Sequence, residues 1–286
     1  MNRTLRSLLF APGDNPERIA KAATTAADAV IVDLEDAVAQ PAKVGARAAL
    51  ARTVAPIREG GKYAVVRINS GPDGDADIAA AVASGVDAIM VPKVECSNDI
   101  TRVGRVLSML RAPDRAAMPT LIALLESARG VVAANEIAAA PRVSAIALGT
   151  EDFSLSMGVK PLPPVLDLPV RTIALAAHAN SKAAYAIPLS IAAFREIDAT
   201  RDAALKARSY GCHGGLCIHP LQAETLNAAF APTPEEIEQA RAVFHAWEIA
   251  QAEGKGVTVV GDRMVDAPVA GWAKTVLARA ESTKDF

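Results

Sequence analysis

The sequence predicts an α/β protein: a (β/α)8 barrel of the TIM-barrel type with a C-terminal helix–hairpin–helix extension. Short apolar runs recur eight times, and each is followed by an Ala-rich stretch with helical character. Hydrophobic residues make up 51% of the chain but aromatic residues only 4%, so the core must be aliphatic, as in parallel strands buried under helices. A length of 286 residues suits one such barrel.

The predicted strands alternate with stretches in which a helix can begin and end. Residues 16–27 predict the first helix, because Asp14 and Asn15 are cap candidates and Pro16 occupies a first-turn position. An open doubly wound sheet would require a GxGxxG turn after the first strand, which Ala11-Pro12-Gly13-Asp14 does not supply. The predicted strands comprise residues 7–11, 29–34, 63–68, 88–91, 120–125, 144–148, 184–189 and 215–218.

The chain after residue 230 departs from this alternation. Residues 233–253 predict a long amphipathic helix, 257–265 a hairpin around Gly261-Asp262, and a last helix begins near Ala267. We therefore expect a catalytic barrel domain, 1–230, and an extension, 231–286, that acts as a lid, an oligomer contact or both. The proline-rich residues 161–169 predict a loop.

Charge and cysteine content restrict the function classes. The net charge of −2 and the isoelectric point near 6.1 give no reason to expect a nucleic-acid or membrane partner, so we expect a small-molecule substrate. The three cysteines are odd in number and lack CxxC spacing, which indicates reduced thiols in the cytoplasm. The first apolar run is too short for a signal peptide, and no stretch reaches transmembrane length.

Charged residues follow five consecutive predicted strands, the second through the sixth. In a barrel of this kind the carboxyl ends of the strands form one mouth, where catalytic groups lie. Several carboxylates around one mouth are unfavourable unless a cation neutralises them. The strand ends carry Asp33, Glu35 and Asp36, then Arg67, then Lys93 and Glu95, then Glu126 and Arg129, and finally Glu151 and Asp152.

Glu126 and Asp152, on neighbouring strand ends, are candidates for a Mg²⁺ pair, and Mn²⁺ is a possible substitute. Magnesium prefers hard oxygen ligands and keeps several waters, so two carboxylates suffice. Each acid also occupies a position where a helix cap or first-turn acid belongs, and that interpretation stays open.

Arg67 on a buried strand requires a carboxylate partner. The position at the mouth favours a substrate carboxylate, and a structural ion pair with Asp33 or Glu35 is the alternative. His219 before Pro220 is a candidate acid, although a structural hydrogen bond explains it better.

Seven short segments occur in order at the predicted strand ends: RSLLFAPG (6–13), DLEDAV (33–38), VRIN (66–69), PKVE (92–95), ESARG (126–130), GTEDF (149–153) and IHPLQ (218–222). Together they resemble the citrate lyase β-subunit-like group of the HpcH/HpaI aldolase/citrate lyase superfamily, which includes malyl-CoA and citramalyl-CoA lyases. The similarity extends from about residue 5 to residue 270.

The resemblance implies a (β/α)8 barrel, Mg²⁺ and a CoA or acyl-carrier thioester. It places the metal on Glu126 and Asp152 and a substrate carboxylate on Arg67. It makes Glu35 and Asp36 part of the catalytic surroundings of the metal.

The resemblance also assigns roles at the two ends of the chain. Arg6, Pro12 and Gly13 are expected to contact the cofactor portion of the substrate. Asp266 is expected to act as acid or base in the site of a neighbouring subunit, and the alternative is that it caps the last helix. The resemblance implies a homotrimer or a hexamer.

The expected activity is that of a Mg²⁺-dependent carbon–carbon lyase that cleaves or forms malyl-CoA, citramalyl-CoA or citryl-CoA. Similar proteins often carry a lysine in the turn before Ile-His-Pro, whereas residues 211–217 have none. If that lysine helps to hold the CoA moiety, the thioester partner is in doubt. Three alternatives therefore stay open: a citrate lyase β subunit acting on a carrier protein, an aldolase acting on free acids, and a catalytically silent metabolite-binding barrel.

Overall fold

A computed structural model describes residues 5–111 and 117–282 of the chain. Strands alternate with helical connections from Ser7 to Phe230, and each connection between strands returns the chain so that the next strand is parallel. The barrel strands are β1 Ser7–Pro12, β2 Ala29–Asp33, β3 Tyr63–Arg67, β4 Ala88–Val91, β5 Thr120–Leu125, β6 Val143–Leu148, β7 Ala183–Tyr185 and β8 Gly215–Cys217. The helices of this part are α1 Pro16–Ala23, α2 Lys43–Glu59, α3 Pro72–Ala83, α4 Ser97–Ser108, α5 Ala128–Val132, α6 Ala134–Ala139, α7 Thr150–Ser156, α8 Pro163–Ala179, α9 Ile197–Ser209 and α10 Pro220–Phe230.

The eight strands form one parallel sheet that nearly closes on itself. The strand order is β7-β6-β5-β4-β3-β2-β1-β8, so the first and last strands of the barrel are neighbours. A parallel bridge between Tyr185 and Gly214, supported by a hydrogen bond from Ala186 N to Gly214 O, joins the two edges. The structure thus confirms the predicted TIM-barrel-like α/β fold.

Alternation along the strands divides the apolar residues into an inner and an outer core. In β2, Ala29 and Ile31 point into the barrel, whereas Val30 and Val32 pack against the surrounding helices. Both sets are fully buried. This two-sided burial explains why the strands appear in the sequence as continuous aliphatic runs.

The prediction of a loop at residues 161–169 is wrong, because helix α8 begins at Pro163. Its first two residues are prolines. The missing N–H groups cost no intrahelical hydrogen bond there, because the first N–H groups of a helix have no intrahelical acceptor. Pro169 lies inside the helix and is buried together with Leu166 and Val170. Packing of this face against the barrel therefore overrides the local tendency of proline to end a helix.

The residues from Ala231 onward form a compact unit separate from Leu5–Phe230. It contains α11 Pro234–Ala252, the antiparallel hairpin β9 Thr258–Val260 and β10 Arg263–Val265, and α12 Ala267–Ser282. Thr233 and Glu236 form a reciprocal capping box at the start of α11. In the described part of the chain, no helix is both long and apolar enough to cross a bilayer.

Candidate active site

The inward-facing positions of the strands change from apolar to charged at the carboxyl end of the barrel. In β2 the inward series Ala29, Ile31 ends in Asp33, and in β3 the inward Val65 is followed two residues later by Arg67. Asp33 and Arg67 are paired in the sheet register. The period of two along each strand therefore places a carboxylate and a guanidinium side by side above the inner core.

Asp33 holds Arg67 through both arms of its carboxylate. Arg67 Nε donates to Asp33 Oδ1 at 2.7 Å and Nη2 donates to Oδ2 at 2.6 Å, a bidentate geometry. The carboxylate also accepts hydrogen bonds from the backbone N–H groups of Glu35 and Ala37. The Phe10 ring lies 5.0 Å from the guanidinium carbon. The structural partner considered for Arg67 is therefore present.

Arg67 also contacts the other acids at the mouth. Its Nη1 lies 3.0 Å from Glu35 Oε2 and 4.0 Å from Glu126 Oε1. Burial acts to lower the pKa of Arg67. The hydrogen bonds with Asp33 and the charges of Asp33, Glu35 and Glu126 outweigh this effect, so the pKa lies above its ordinary value. The guanidinium therefore remains charged.

Lys93 links β4 to the acidic end of β2. Its Nζ donates to Glu35 Oε1 at 2.7 Å and lies 3.6 Å from Asp36 Oδ1. Burial of Glu35 raises the pKa of its carboxyl, an effect that the hydrogen bond from Lys93 opposes. Asp36 is half exposed and reaches the edge of the site.

Glu126 is a buried acid at the mouth of the barrel. Its side chain is only 4% exposed, and Oε2 accepts a hydrogen bond from Lys93 N at 2.7 Å. Burial raises the pKa of Glu126 to about 7, the charges of Glu35 and Asp152 add to the rise, and Lys93 N and Arg67 oppose it. A cation beside Glu126 would favour its ionised form.

Gly149 provides the space that Glu126 occupies. The register pairs Leu125 with Leu148, so Gly149 follows β6 next to Glu126. A Cβ on Gly149 would lie 2.6 Å from Glu126 Cγ and 2.8 Å from Oε1. Gly149 and Phe10 were not among the predicted site residues, although the alternation along their strands places both toward the inside of the barrel.

A cavity of about 340 Å³ opens at this mouth. Its charged lining comprises Arg67 and the carboxylates of Asp33, Asp36, Glu126, Glu151 and Asp152. Aliphatic residues at the ends of β6, β7 and β8 also line the cavity. Size, concavity and mixed lining are those of a small-molecule site.

The donor set at the cavity suits a hard divalent cation. Glu126 and Asp152 supply carboxylate oxygens from neighbouring strand ends, and Asp152 lies in the first turn of α7. The described residues include no group of three or more His, Cys, Asp or Glu side chains arranged as a complete metal site. Two carboxylates suit Mg²⁺, which takes its remaining ligands from water and substrate.

Arg6, expected at the cofactor, does not lie at this mouth. It precedes β1 at the amino end of the barrel, and its side chain is 10% exposed. There Nε and Nη2 form a bidentate pair with Asp28 at 2.8 and 2.7 Å. Pro12 and Gly13 do lie at the mouth end, where Gly13 N donates to Asp33 O at 2.8 Å.

The turn that lacks the expected lysine also lies at the amino end of the barrel, because it precedes β8. Gly214 packs so closely on Arg6 that a Cβ would lie 2.4 Å from Arg6 O. A lysine in this turn would therefore be remote from the cavity. Its absence does not weigh against a thioester substrate.

Two further candidates have structural roles in their own elements. His219 Nδ1 accepts a hydrogen bond from Leu221 N at the start of α10, as the structural interpretation predicted. In the C-terminal unit, Asp266 Oδ1 accepts one from Val269 N at 3.2 Å, which makes Asp266 the cap of α12.

Comparison with known proteins identifies the family. The family model of the HpcH/HpaI aldolase/citrate lyase proteins matches residues 6–220. The chain belongs to this family. A (3S)-malyl-CoA thioesterase of Cereibacter sphaeroides is 35% identical over 284 residues, covering 98% of this chain and 96% of that protein. The L-malyl-CoA/beta-methylmalyl-CoA lyase of Rhodobacter capsulatus is 32% identical over 306 residues, covering 99% and 96%.

A member of known structure shares the fold over its full length. The CitE protein of Mycobacterium tuberculosis, crystallised with magnesium, acetoacetate and coenzyme A, is 31% identical. It superposes with a TM-score of 0.74 over 98% of this chain and 99% of that chain. The resemblance stated from the seven segments is thereby confirmed.

Proposed function

We propose that this chain is a Mg²⁺-dependent carbon–carbon lyase that cleaves, or forms, a 3-hydroxyacyl-CoA with a carboxylate on the carbinol carbon. The observation that carries the proposal is the buried Glu126, with a pKa raised to about 7 by burial, beside Arg67 at a cavity that Asp152 also lines. A nearby cation stabilises the ionised form of a buried carboxyl whose pKa is raised. The lyase relatives and the CitE complex support the same assignment.

Glu126 and Asp152 would hold the metal, and Arg67 would orient the substrate. Asp33 engages Nε and one N–H of Nη2, and Nη1 contacts Glu35 and Asp36, so the second N–H of Nη2 is the group proposed to bind the substrate carboxylate. The bound metal would act as a Lewis acid toward the hydroxyl and carboxylate oxygens. Glu35, Asp36 and Lys93 keep Arg67 and the backbone near Glu126 in place.

The cleavage step follows from this arrangement. The hydroxyl proton passes to a carboxylate at the mouth, and the bond between the carbinol carbon and the carbon α to the thioester breaks. The electron pair of that bond passes to the thioester as an enolate, and the carbinol carbon becomes the carbonyl of a 2-oxo acid. Protonation of the enolate carbon gives the acyl-CoA, and condensation is the reverse.

The assay supplies malyl-CoA, citramalyl-CoA and citryl-CoA to the pure protein with Mg²⁺, and then with EDTA, and follows released 2-oxo acid and acetyl-CoA. We expect metal-dependent cleavage that is lost in Asp152→Ala. Absence of cleavage of all three by folded, Mg²⁺-loaded protein would overturn the proposal.

A second candidate is thioester hydrolysis, which the 35% identity to a (3S)-malyl-CoA thioesterase favours. Water would then attack the thioester carbonyl, and free CoA and a hydroxy acid would leave. The two activities differ in one product, because hydrolysis releases a free thiol and cleavage does not. A thiol reagent added to the assay above therefore separates them.

We further propose that Asp266 delivers the proton to the enolate from the extension of a neighbouring subunit in a homotrimer or hexamer. A position at the start of α12, next to the hairpin, is compatible with this role, since capping uses only one carboxylate oxygen. We also propose a cytoplasmic location, which the three free cysteines support.

A further inference from the structure

The cavity lining contains two kinds of side chain. Charged groups come from the ends of β2, β3, β5 and β6, and aliphatic side chains come mainly from the segments at β7 and β8. The aliphatic wall, as we call this second group, comprises Leu148, Ile187, Leu189, Ile191, Leu216 and Ile218. Such a wall offers no hydrogen bond to a polar substituent and favours an apolar one.

The aliphatic wall is held beside the metal-binding end of the cavity. Ile191 N donates to Thr150 Oγ1 at 3.3 Å, and Gln222 Nε2 donates to Ile191 O at 3.1 Å. Ser190 Oγ donates to Glu151 Oε1 at 2.6 Å. The segment after β7 is thus fastened to the first turn of α7, which contains Asp152.

Charge at the cavity acts against a second carboxylate on the substrate. Of the described residues lining the cavity, Arg67 is the one with a positive charge, and Asp33 already neutralises it. Five carboxylates line the same cavity. One guanidinium and a divalent cation together leave two negative charges in excess, so a further carboxylate would meet repulsion and no partner.

We infer that the cavity selects substrates whose carbinol carbon carries one carboxylate and an alkyl group, so that the 2-oxo acid is an aliphatic monocarboxylic acid. With the hydroxyl and carboxylate at Glu126, Asp152 and Arg67, the remaining substituent faces the aliphatic wall formed by Ile187, Leu189 and Ile191. This inference rests on the proposed lyase function. It makes the residues of that wall determinants of specificity.

The test runs the reaction in the condensation direction. Acetyl-CoA and Mg²⁺ are supplied with glyoxylate, pyruvate, 2-oxobutanoate or oxaloacetate, and the hydroxyacyl-CoA products are quantified by mass spectrometry. We expect kcat/KM to rise from glyoxylate to the alkyl-bearing acids by about tenfold or more, because a methyl group in an apolar pocket has an effect of this size. The kcat/KM for oxaloacetate should lie below that for 2-oxobutanoate by at least the same factor.

The variant Leu189→Arg places a cation in the aliphatic wall. It should reverse the order of oxaloacetate and 2-oxobutanoate, whereas the same substitution at Leu175, which is 74% exposed on α8, should leave the order unchanged. If Leu189→Arg does not fold, Ile191→Lys makes the same test at a half-buried position.

The outcomes separate the inference from the function on which it rests. Product from oxaloacetate or glyoxylate in preference to the alkyl-bearing acids would overturn the inference and leave the lyase function standing. Absence of product from every 2-oxo acid, in protein that binds Mg²⁺, would overturn both.

Discussion

Arg67 forms an ion pair with a carboxylate of its own protein, and it is also the residue proposed to bind the substrate carboxylate. Removing it leaves Asp33 buried without its cation, whereas Glu35 keeps its ion pair with Lys93. Arg67→Met should therefore lower the free energy of unfolding by about 3–5 kcal/mol, as expected when one partner of a buried pair is removed. Chemical denaturation measures this loss.

The double variant Arg67→Met/Asp33→Asn separates stability from substrate binding. Neutralising Asp33 should restore part of the stability, because the unpaired buried charge is gone. Lyase activity should stay absent, since no guanidinium remains at the cavity. Recovery of activity together with stability would show that Arg67 acts only as a structural ion.

If Glu126 holds the metal as proposed, metal binding should depend on pH near neutrality. Its pKa is raised by burial to about 7, so the carboxyl would have to lose its proton before it could bind Mg²⁺. The apparent affinity for Mg²⁺ should fall by about tenfold per pH unit below pH 7 and level off above it. Calorimetric titration with Mg²⁺ at pH values between 5.5 and 8.5, spaced by about half a unit, measures this dependence.

The sign of the stability effect is opposite for the metal-free protein. A Glu whose pKa is higher in the folded state than its ordinary 4.5 binds its proton more tightly when folded. Without metal, stability should thus decline as the pH rises from 4.5 to about 7. Glu35→Gln removes a charge that raises the pKa of Glu126 and should move both transitions to lower pH. Transitions that do not move would contradict the assignment to Glu126.

At the scale of elements, the junction of β6 and α7 depends on a glycine. In Gly149→Ala the new Cβ would overlap Glu126 Cγ, so the carboxylate must move. We expect the affinity for Mg²⁺ to weaken by about 10–100-fold, the effect typical of disturbing the support of a ligand. The matched control is Gly104→Ala inside α4, where the added Cβ would have no atom within 4 Å among the described residues outside the backbone of its own helix. It should stabilise the protein by about 0.5–1 kcal/mol and leave metal binding unchanged.

The start of β1 belongs to the stability face of the barrel. Arg6→Met removes the partner of the fully buried Asp28 and should lower the free energy of unfolding by about 3–5 kcal/mol. KM for the acyl-CoA should not change. A raised KM with unchanged stability would instead place Arg6 at the substrate.

At the scale of the whole molecule, a substitution at Asp266 separates its role as a helix cap from its proposed role in catalysis. Asp266→Asn keeps an oxygen that can accept from Val269 N, so the melting temperature should change little. If Asp266 protonates the enolate, kcat should fall by about 10²–10⁴-fold, the usual contribution of a general acid. Mixed oligomers of Asp266→Asn and Asp152→Ala subunits should regain activity if the residue acts across subunits. Unchanged kcat would leave Asp266 as a cap alone.

Much of this protein was determined by the sequence through local chemistry. Aliphatic runs bounded by turn residues predicted all eight strands, although β7 ends at Tyr185 and not at residue 189. The charged residues after the strands predicted the mouth that holds Arg67, Glu126 and Asp152. The amphipathic pattern of residues 233–253 predicted α11. These features depend on side-chain period and on backbone groups a few residues away, so they can be inferred without the fold.

Only the tertiary structure decided which end of the barrel a residue occupies and what touches it. Arg6 is 22 residues from Asp28, and Arg67 is 34 residues from Asp33, so the register between strands fixes these partners. The space beside Gly149 and the helix that includes Pro169 likewise depend on packing against distant parts of the chain. Contacts between residues that are distant in sequence form only when the sheet assembles. Strand register and burial then determine which groups meet, and local conformational preference does not.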